Sequence, residues 1–186
     1  PISFARMLEA ALDEHPGARL LLKVHPDVLA GRKRGHFDPA RLSPAVRQRV
    51  RWLGEPVHPA ALLAQVAAVY VVSSQMGFEA LLWGRPVRCF GLPFYAGWGL
   101  TQDEQALPRR GAAGLDALVH AALIDYPRCL DPHTGRVTSP EALLQRLGWL
   151  RRQVAANPPR ATAVGFSWWK RPILRRFLPG TELRFQ

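Results

Sequence analysis

Cysteine is nearly absent: Cys89 and Cys129 are the only two in 186 residues. Two widely separated thiols make neither a disulfide framework nor a zinc site, and a reducing cytoplasm suits them. Long apolar runs are missing too; none reaches the roughly 18 residues that a membrane-spanning helix needs. Acidic residues are few, 14 Asp and Glu against 25 Lys and Arg, for a formal charge of +11. Only three of the basic residues, Lys23, Lys33 and Lys170, are lysines. The arginines are scattered and not interleaved with aromatics in one block, which argues against a specific nucleic-acid interface. Anionic membrane surfaces and phosphorylated substrates still fit the charge. No His, Cys, Asp or Glu spacing reads as a zinc or calcium site, and no cofactor is expected. No signal peptide, short-period repeat or low-complexity tract is visible. The first residue is Pro1, and the chain opens inside what reads as a helix, so a piece of a longer protein is expected.

A hydrophobic content of 48% indicates a globular chain, long enough for one domain or one domain plus a tail. Phe4, Met7, Leu8, Ala11 and Leu12 recur at i, i+3, i+4, i+7 and i+8, one apolar helix face, with Ser3 in N-cap position. Pro16-Gly17 stops that helix. The apolar run Ala18 to Val24 predicts a buried strand, ended by His25-Pro26. Residues 29–44 are polar, basic and broken by Gly and Pro, which predicts a loop. Strands are expected again over Val50 to Glu55, Ala68 to Ser74 and Pro86 to Gly91. Helices are expected over His58 to Val66 and Met76 to Gly84, the latter stopped by Gly84. This alternation predicts βαβ units and an α/β fold, a Rossmann-like parallel sheet flanked by helices. Leu92 to Gly111 is a long loop rich in Gly and aromatics, and such loops are functional or disordered. Leu115 to Ile124 and Ser139 to Asn157 read as amphipathic helices, the second with Ser139 as N-cap and Pro140 at N1. Pro158-Pro159 marks a boundary, giving domains at 1–157 and 158–186. The tail holds six basic residues and one acid, Glu182.

Ligands of parallel α/β sheets bind at the carboxyl ends of the strands. Three segments fall there: Lys23 to Pro26, Ser73 to Gln75, and the aromatic loop. Ser73, Ser74 and Gln75 precede a helix, whose start offers N–H groups and partial positive charge to a phosphate. Gly77 in the first turn leaves the backbone open to a ligand, and Glu79, one turn in, can accept from the two hydroxyls of a ribose. The same pattern is met by a serine that only caps the helix and a glutamate that only complements its dipole. His25 beside Lys23 can hold a phosphate or protonate a leaving group, aimed by Pro26; a lone His-Pro is also a common strand end. Arg32, Lys33 and Arg34 form either a solvated basic run or a clamp on an acidic sugar or diphosphate. Tyr95 and Trp98 with their glycines suit a mobile sugar-stacking platform or a packed surface loop. Asp103 and Glu104 are the nearest acids to that loop.

Taken together, "MLEAALDEHPGARLLLKVHPDVLAGRKRGHF", "SSQMGFEALLWGRPVRCFGLPFYAGWGLTQD" and "YPRCLDPHTG" resemble the bacterial capsule polysaccharide Kdo transferases of the KpsC type, in order over about residues 4 to 150. The His-Pro also resembles the nucleotide-phosphate motif of sialyltransferases that use CMP-sugars. The resemblance implies the donor-binding lobe of a GT-B glycosyltransferase, with the site between two Rossmann-like lobes. The donor would be CMP-β-Kdo, the acceptor a lipid-linked Kdo oligosaccharide, and the β-linked product would mean retention. By position, His25 would bind the CMP phosphate and assist its departure, Ser73 and Ser74 would contact that phosphate, and Glu79 would hold the ribose. Lys23, Pro26, Gln75 and Gly77 would complete the donor site, with Arg32, Lys33, Tyr95 and Trp98 on the acceptor or sugar side. No metal is expected.

Family members carry an acidic, Gly/Asp-containing segment upstream of the first helix here, and the catalytic carboxylate is expected in it. Val164 to Gly180 resembles the opening of such a module, so residues 158–186 are expected to be a basic linker or the start of a following module, and a missing N-terminal lobe and a second tandem module are expected partners. The implied place is the cytoplasm, peripheral at the inner membrane, since the tail is basic and aromatic and the acceptor is a lipid. Two readings from other classes stand beside this one: a non-catalytic binding or assembly module of the capsule export machinery, and a basic nucleic-acid or membrane-surface protein.

Overall fold

The computed structural model of the protein describes residues 2–186 apart from 25, 30, 39–41 and 56, and the backbone alone at 2, 3, 26 and 29. The chain divides into two compact units, residues 1–119 and 120–186. Residues 120–157 thus group with the tail beyond Pro158.

The first unit begins with α1 (Ile2–Glu14), whose positions 4, 7, 8, 11 and 12 are covered while 5, 6, 9 and 13 face water. Ser3 lies inside this helix, after its start at Ile2, and is not its N-cap. Next come β1 (Leu20–Lys23), α2 (Pro26–Leu29), α3 (Pro44–Arg49) and β2 (Val50–Leu53), then α4 (Pro59–Leu63), β3 (Val69–Val71), α5 (Met76–Leu82), β4 (Val87–Cys89), β5 (Gln102–Asp103) and α6 (Leu115–His120). All four strands predicted between residues 18 and 91 form, each somewhat shorter than its apolar run. Every pairing is parallel, but the strands form two sheets: β1 pairs with β2, Leu20 opposite Val50, and β3–β4–β5 pair separately, Val69 opposite Val87 and Cys89 opposite Asp103. The strand β5 lies inside the stretch expected to be a structureless loop. Parallel strands need a crossover of about a dozen residues, and residues 90–101 supply it without a helix.

Burial separates the ladders. Val71, Val87 and Cys89 are at most 5% exposed and form the core with Leu63, Phe78, Ala80, Phe90, Tyr95 and Ala96. Each large apolar side chain so buried contributes roughly 1.5–3 kcal/mol. By contrast β1 alternates, with Leu21 43% exposed and Lys23 facing water, although its apolar run predicts burial on both faces. One face of the β1–β2 ladder carries no covering layer among the described residues of its unit, so alternation replaces full burial.

The Gly-Arg-Pro at residues 84–86 does three separate things. Gly84 takes φ +63° and closes α5 with a Schellman pair, its N–H to the Leu81 carbonyl and the Arg85 N–H to that of Ala80. The Arg85 guanidinium then donates to the Leu63 and Ala64 carbonyls at 2.8 Å each, satisfying the open end of α4. Pro86, having no N–H to lose, leads into β4 with its carbonyl accepting the Val69 N–H.

In the second unit a π-helical turn (Ala121–Asp125) continues α6, where a plain helix is predicted. Asp131 folds "LDPHTG" into a turn by accepting the His133 and Thr134 N–H groups at 2.7 and 3.0 Å. The long α7 (Pro140–Ala156) starts at Ser139, whose hydroxyl accepts from the Ala142 N–H, with Pro140 at N1. Beyond Pro158-Pro159 the tail is ordered as β6 (Arg160–Ala163), a 3₁₀ turn (Trp168–Lys170), α8 (Arg171–Phe177) and β7 (Glu182–Phe185). Its two strands pair in parallel.

Candidate functional site

Helix α1 contacts segments of both sheets. Near its C-terminus, Tyr70 in the middle of β3 donates to Glu14, and Arg49 just before β2 donates to the His15 carbonyl. Towards its N-terminus, Phe4 stacks on His36 at 3.7 Å and meets Phe37 edge-on, both from the segment after β1 and α2. Arg6 pairs with Glu104, just after β5, at 3.2 Å. The Arg88 guanidinium joins Glu104 to Glu14 as well, so α1 runs alongside these segments over much of its length. The carboxyl edge of the strands is where parallel α/β sheets bind ligands.

The turn Ser73–Gln75 leaves β3 on this edge and is exposed throughout. Ser74 Oγ accepts the Met76 N–H at 3.2 Å, a local cap on the entry to α5. Its carbonyl accepts the Tyr95 hydroxyl. Ser73, Gln75 and the half-buried Glu79 have no side-chain hydrogen bond or ion pair among the described residues. Gly77 has a packing role: a Cβ there would lie 2.7 Å from Tyr95 Cζ, so the space expected to admit a ligand is filled by the phenol ring.

His25 lies outside the described residues. Pro26 opens α2, and Lys23 is exposed, its Nζ donating to the Glu55 carbonyl at 3.3 Å. Arg32 and Lys33 fold back on α2: their N–H groups donate to the Asp27 carbonyl at 2.8 and 3.1 Å. Their cations stand 3.8 and 3.4 Å from the Asp27 carboxylate and remain largely in water. The basic run is thus positioned by its own acid and still open to solvent.

The aromatic loop differs most from expectation. Tyr95 is 0% exposed, so it cannot stack on a sugar; its ring packs against Phe78 and Phe94. Trp98 is half-buried, bonded through Nε1 to the Phe94 carbonyl at 2.8 Å, with Arg110 over its ring at 5.4 Å. Arg110 also donates to the carbonyls of Pro93 and Ala96 at 2.8 and 2.7 Å. Asp103 accepts from the Gly97 N–H and the Thr101 hydroxyl, each at 2.7 Å. Gly97 and Gly99 both take φ +77°, a region closed to most side chains. The loop is thus fastened at several points by its own side chains.

The acids beside this loop are committed elsewhere. Glu104 is hydrogen-bonded by Arg88, then by Arg6, and these hold its carboxyl below the usual range. Arg88 in turn pairs with Glu14. Burial, reinforced by Asp103, pushes the Cys89 thiol up to about 12, so it is no nucleophile near neutrality. Sequence reasoning missed Arg85, Arg88 and Arg110. Their signal was weak, because an arginine among many looks like surface until its carbonyl partners are known. Among the described residues no three His, Cys, Asp or Glu side chains cluster to hold a metal, and no helix is long and apolar enough to cross a membrane. The second unit carries an apolar groove of about 370 Å³ lined by Phe166, Trp169, Ile173 and Phe177.

Comparison with known proteins gives consistent relatives. Residues 2–128 match the family model described as capsule polysaccharide biosynthesis protein. The capsule polysaccharide modification protein LipA of Neisseria meningitidis serogroup B is 38% identical over 98% of this chain and 27% of its own length. The lipopolysaccharide-processing protein LpsZ of Rhizobium meliloti is 37% identical over 83% of this chain and 33% of its own length. Among solved structures, Thermosulfurimonas dismutans KpsC, beta Kdo 2,4 transferase, aligns with TM-score 0.69 and 43% identity over 78% of this chain and 44% of that one. The KpsC beta Kdo 2,7 transferase from the same organism aligns with TM-score 0.62 and 30% identity over 78% of this chain and 45% of that one. The chain thus spans about a quarter to a third of the curated relatives and less than half of each solved one. It belongs to the capsule polysaccharide biosynthesis protein family.

Proposed function

We propose that this chain is the donor-binding lobe of a GT-B glycosyltransferase that transfers β-Kdo from CMP-Kdo, with retention, to a lipid-linked Kdo oligosaccharide of a bacterial capsule. The observation that carries this is the 43% identity and matching fold with a solved β-Kdo transferase, at a site whose uncommitted polar groups lie at a parallel strand end. Ser73 and Ser74 take the CMP phosphate, Glu79 the ribose, and His25 assists departure of the phosphate, with Lys23, Pro26 and Gln75 beside them. Arg32 and Lys33 face the acidic sugar. The attacking or stabilising carboxylate comes from outside this chain. In support, both acids near the aromatic loop are bound up, Asp103 in the loop and Glu104 between arginines.

Residues 158–186 read as the start of a following module. Their exposed Trp168 and Phe177 lie among Lys170, Arg171, Arg175 and Arg176, which supports a peripheral contact with the inner, anionic face of the membrane. Calorimetric titration of the chain with CMP tests the donor assignment. CMP binds and Glu79→Ala weakens it; absence of binding to the wild type would sink the reading.

A further inference from the structure

The turn bearing Ser73 and Ser74 is tied within its own segment, where the Ser74 and Gln75 carbonyls accept the Gly77 and Glu79 N–H groups at 3.1 Å each. It is exposed, it precedes a helix of only seven residues, and its one side-chain hydrogen bond is local, Ser74 Oγ to the Met76 N–H. What fixes it from outside is the aromatic loop. Gly91 presses on the residue before the turn, where a Cβ would lie 2.6 Å from the Val72 carbonyl oxygen. Tyr95 comes from beneath and donates its hydroxyl to the Ser74 carbonyl. Gly77, just past the turn, leaves the room that the phenol occupies. Glycine inside a helix costs about 1 kcal/mol relative to alanine, so α5 gives up helix propensity at the one place where Tyr95 must approach. Tyr95 is itself immobilised, fully buried between Phe78 and Phe94 in the loop that Arg110 and Asp103 fasten.

We infer that Tyr95 is a positioning residue for the donor site: its buried hydroxyl sets the backbone of the Ser73–Ser74 turn so that the two serines meet the donor phosphate together. This rests on the donor-lobe reading. A loop that would otherwise be read as touching the sugar acts instead through the phosphate-binding turn.

The test compares Tyr95→Phe with Tyr70→Phe. The second variant removes a phenol hydroxyl of the same sheet that bonds Glu14 and not the turn. Tyr95→Phe weakens CMP binding about fivefold, the loss of one hydrogen bond, and shifts the amide NMR resonances of Gln75 and Met76. Tyr70→Phe leaves both unchanged. Wild-type affinity in Tyr95→Phe, or an equal loss in Tyr70→Phe, overturns the positioning role while the donor-lobe reading stands. If the wild type itself ignores CMP, both fall. Should Tyr95→Phe fail to fold, Gly77→Ala serves. Its methyl displaces the ring from Ser74 and lowers CMP affinity by a similar factor, and undiminished affinity in the folded variant overturns the role.

Discussion

The carboxylate of Asp103 accepts the backbone N–H of Gly97 at 2.7 Å, closing a loop whose two ends belong to neighbouring parallel strands. A second bond to the Thr101 hydroxyl makes that carboxylate the internal anchor of the segment. Asp103→Ala leaves a buried-side N–H without a partner and should cost about 2 kcal/mol, the range for hydrogen bonds to a charged group. Urea denaturation would register this as a lower midpoint; an unchanged midpoint would show that the loop holds without its anchor.

Arg85 makes a comparable prediction for α4. Arg85→Lys keeps the charge but a single ammonium cannot span the carbonyls of Leu63 and Ala64 as the guanidinium fork does. Both Arg85→Lys and Arg85→Ala should lower the thermal midpoint, by about 1–2 kcal/mol of stability for Ala. If lysine restores the wild-type midpoint, charge at the helix end matters and the fork does not.

Cys89 predicts an alkaline limit. Its thiol is pushed from an ordinary 9.0 up to about 12, first by burial and then by Asp103. The folded chain therefore holds this proton more tightly than the unfolded one. The resulting stability is present below pH 9 and is lost as pH rises towards 12. Cys89→Ala should lose less stability than the wild type over that window in paired denaturation curves. In the native chain at pH 8, a thiol reagent should modify the half-buried Cys129 well before Cys89.

Glu104 predicts the opposite slope at acid pH. Hydrogen bonds from Arg88 and then Arg6 hold its carboxyl below the ordinary 4.5. Its contribution is present above that value and fades as pH falls below it. Because the carboxylate is open to water, salt should weaken the effect. Glu104→Gln is expected to flatten the acid limb of the stability profile relative to wild type, and an identical limb in both proteins would remove Glu104 from the account.

Glu79 bears on the ribose. If its carboxylate accepts the ribose hydroxyls, the wild type prefers CMP to 2′-deoxy-CMP, and Glu79→Ala binds the two equally. A preference that survives in Glu79→Ala places the ribose elsewhere.

How much was legible in the chain follows from the range of each signal. Local patterns were readable: the apolar spacing of α1, the Ser139-Pro140 start of α7, and Gly84 as the stop of α5 all depend on residues within a turn or two. The β3 and β4 strands showed as apolar stretches because Val71, Val87 and Cys89 are buried in the core. The same kind of run misled at β1, where Leu21 faces water, since a run reports composition and not what lies across it. The helix and strands between residues 160 and 185 were hidden under charge, as Arg160 pairs with Glu182 only once β6 and β7 are side by side.

For the candidate site, the sequence by itself determined the family, the alternation that makes parallel ladders, and the placing of Lys23 and Ser73 at strand ends with Glu79 in the helix that follows. These follow from local periodicity and from motifs read in order. Tertiary structure alone decided that Tyr95 is a buried prop and not a stacking surface, and that Gly77 is empty space for a phenol. It also decided that Asp103, Arg85 and Arg110 are spent on backbone groups. The reason is that a hydrogen bond or a void belongs to two segments at once. Tyr95 and Ser74 are separated by a helix and a strand in the chain, and only folding brings the hydroxyl to the carbonyl.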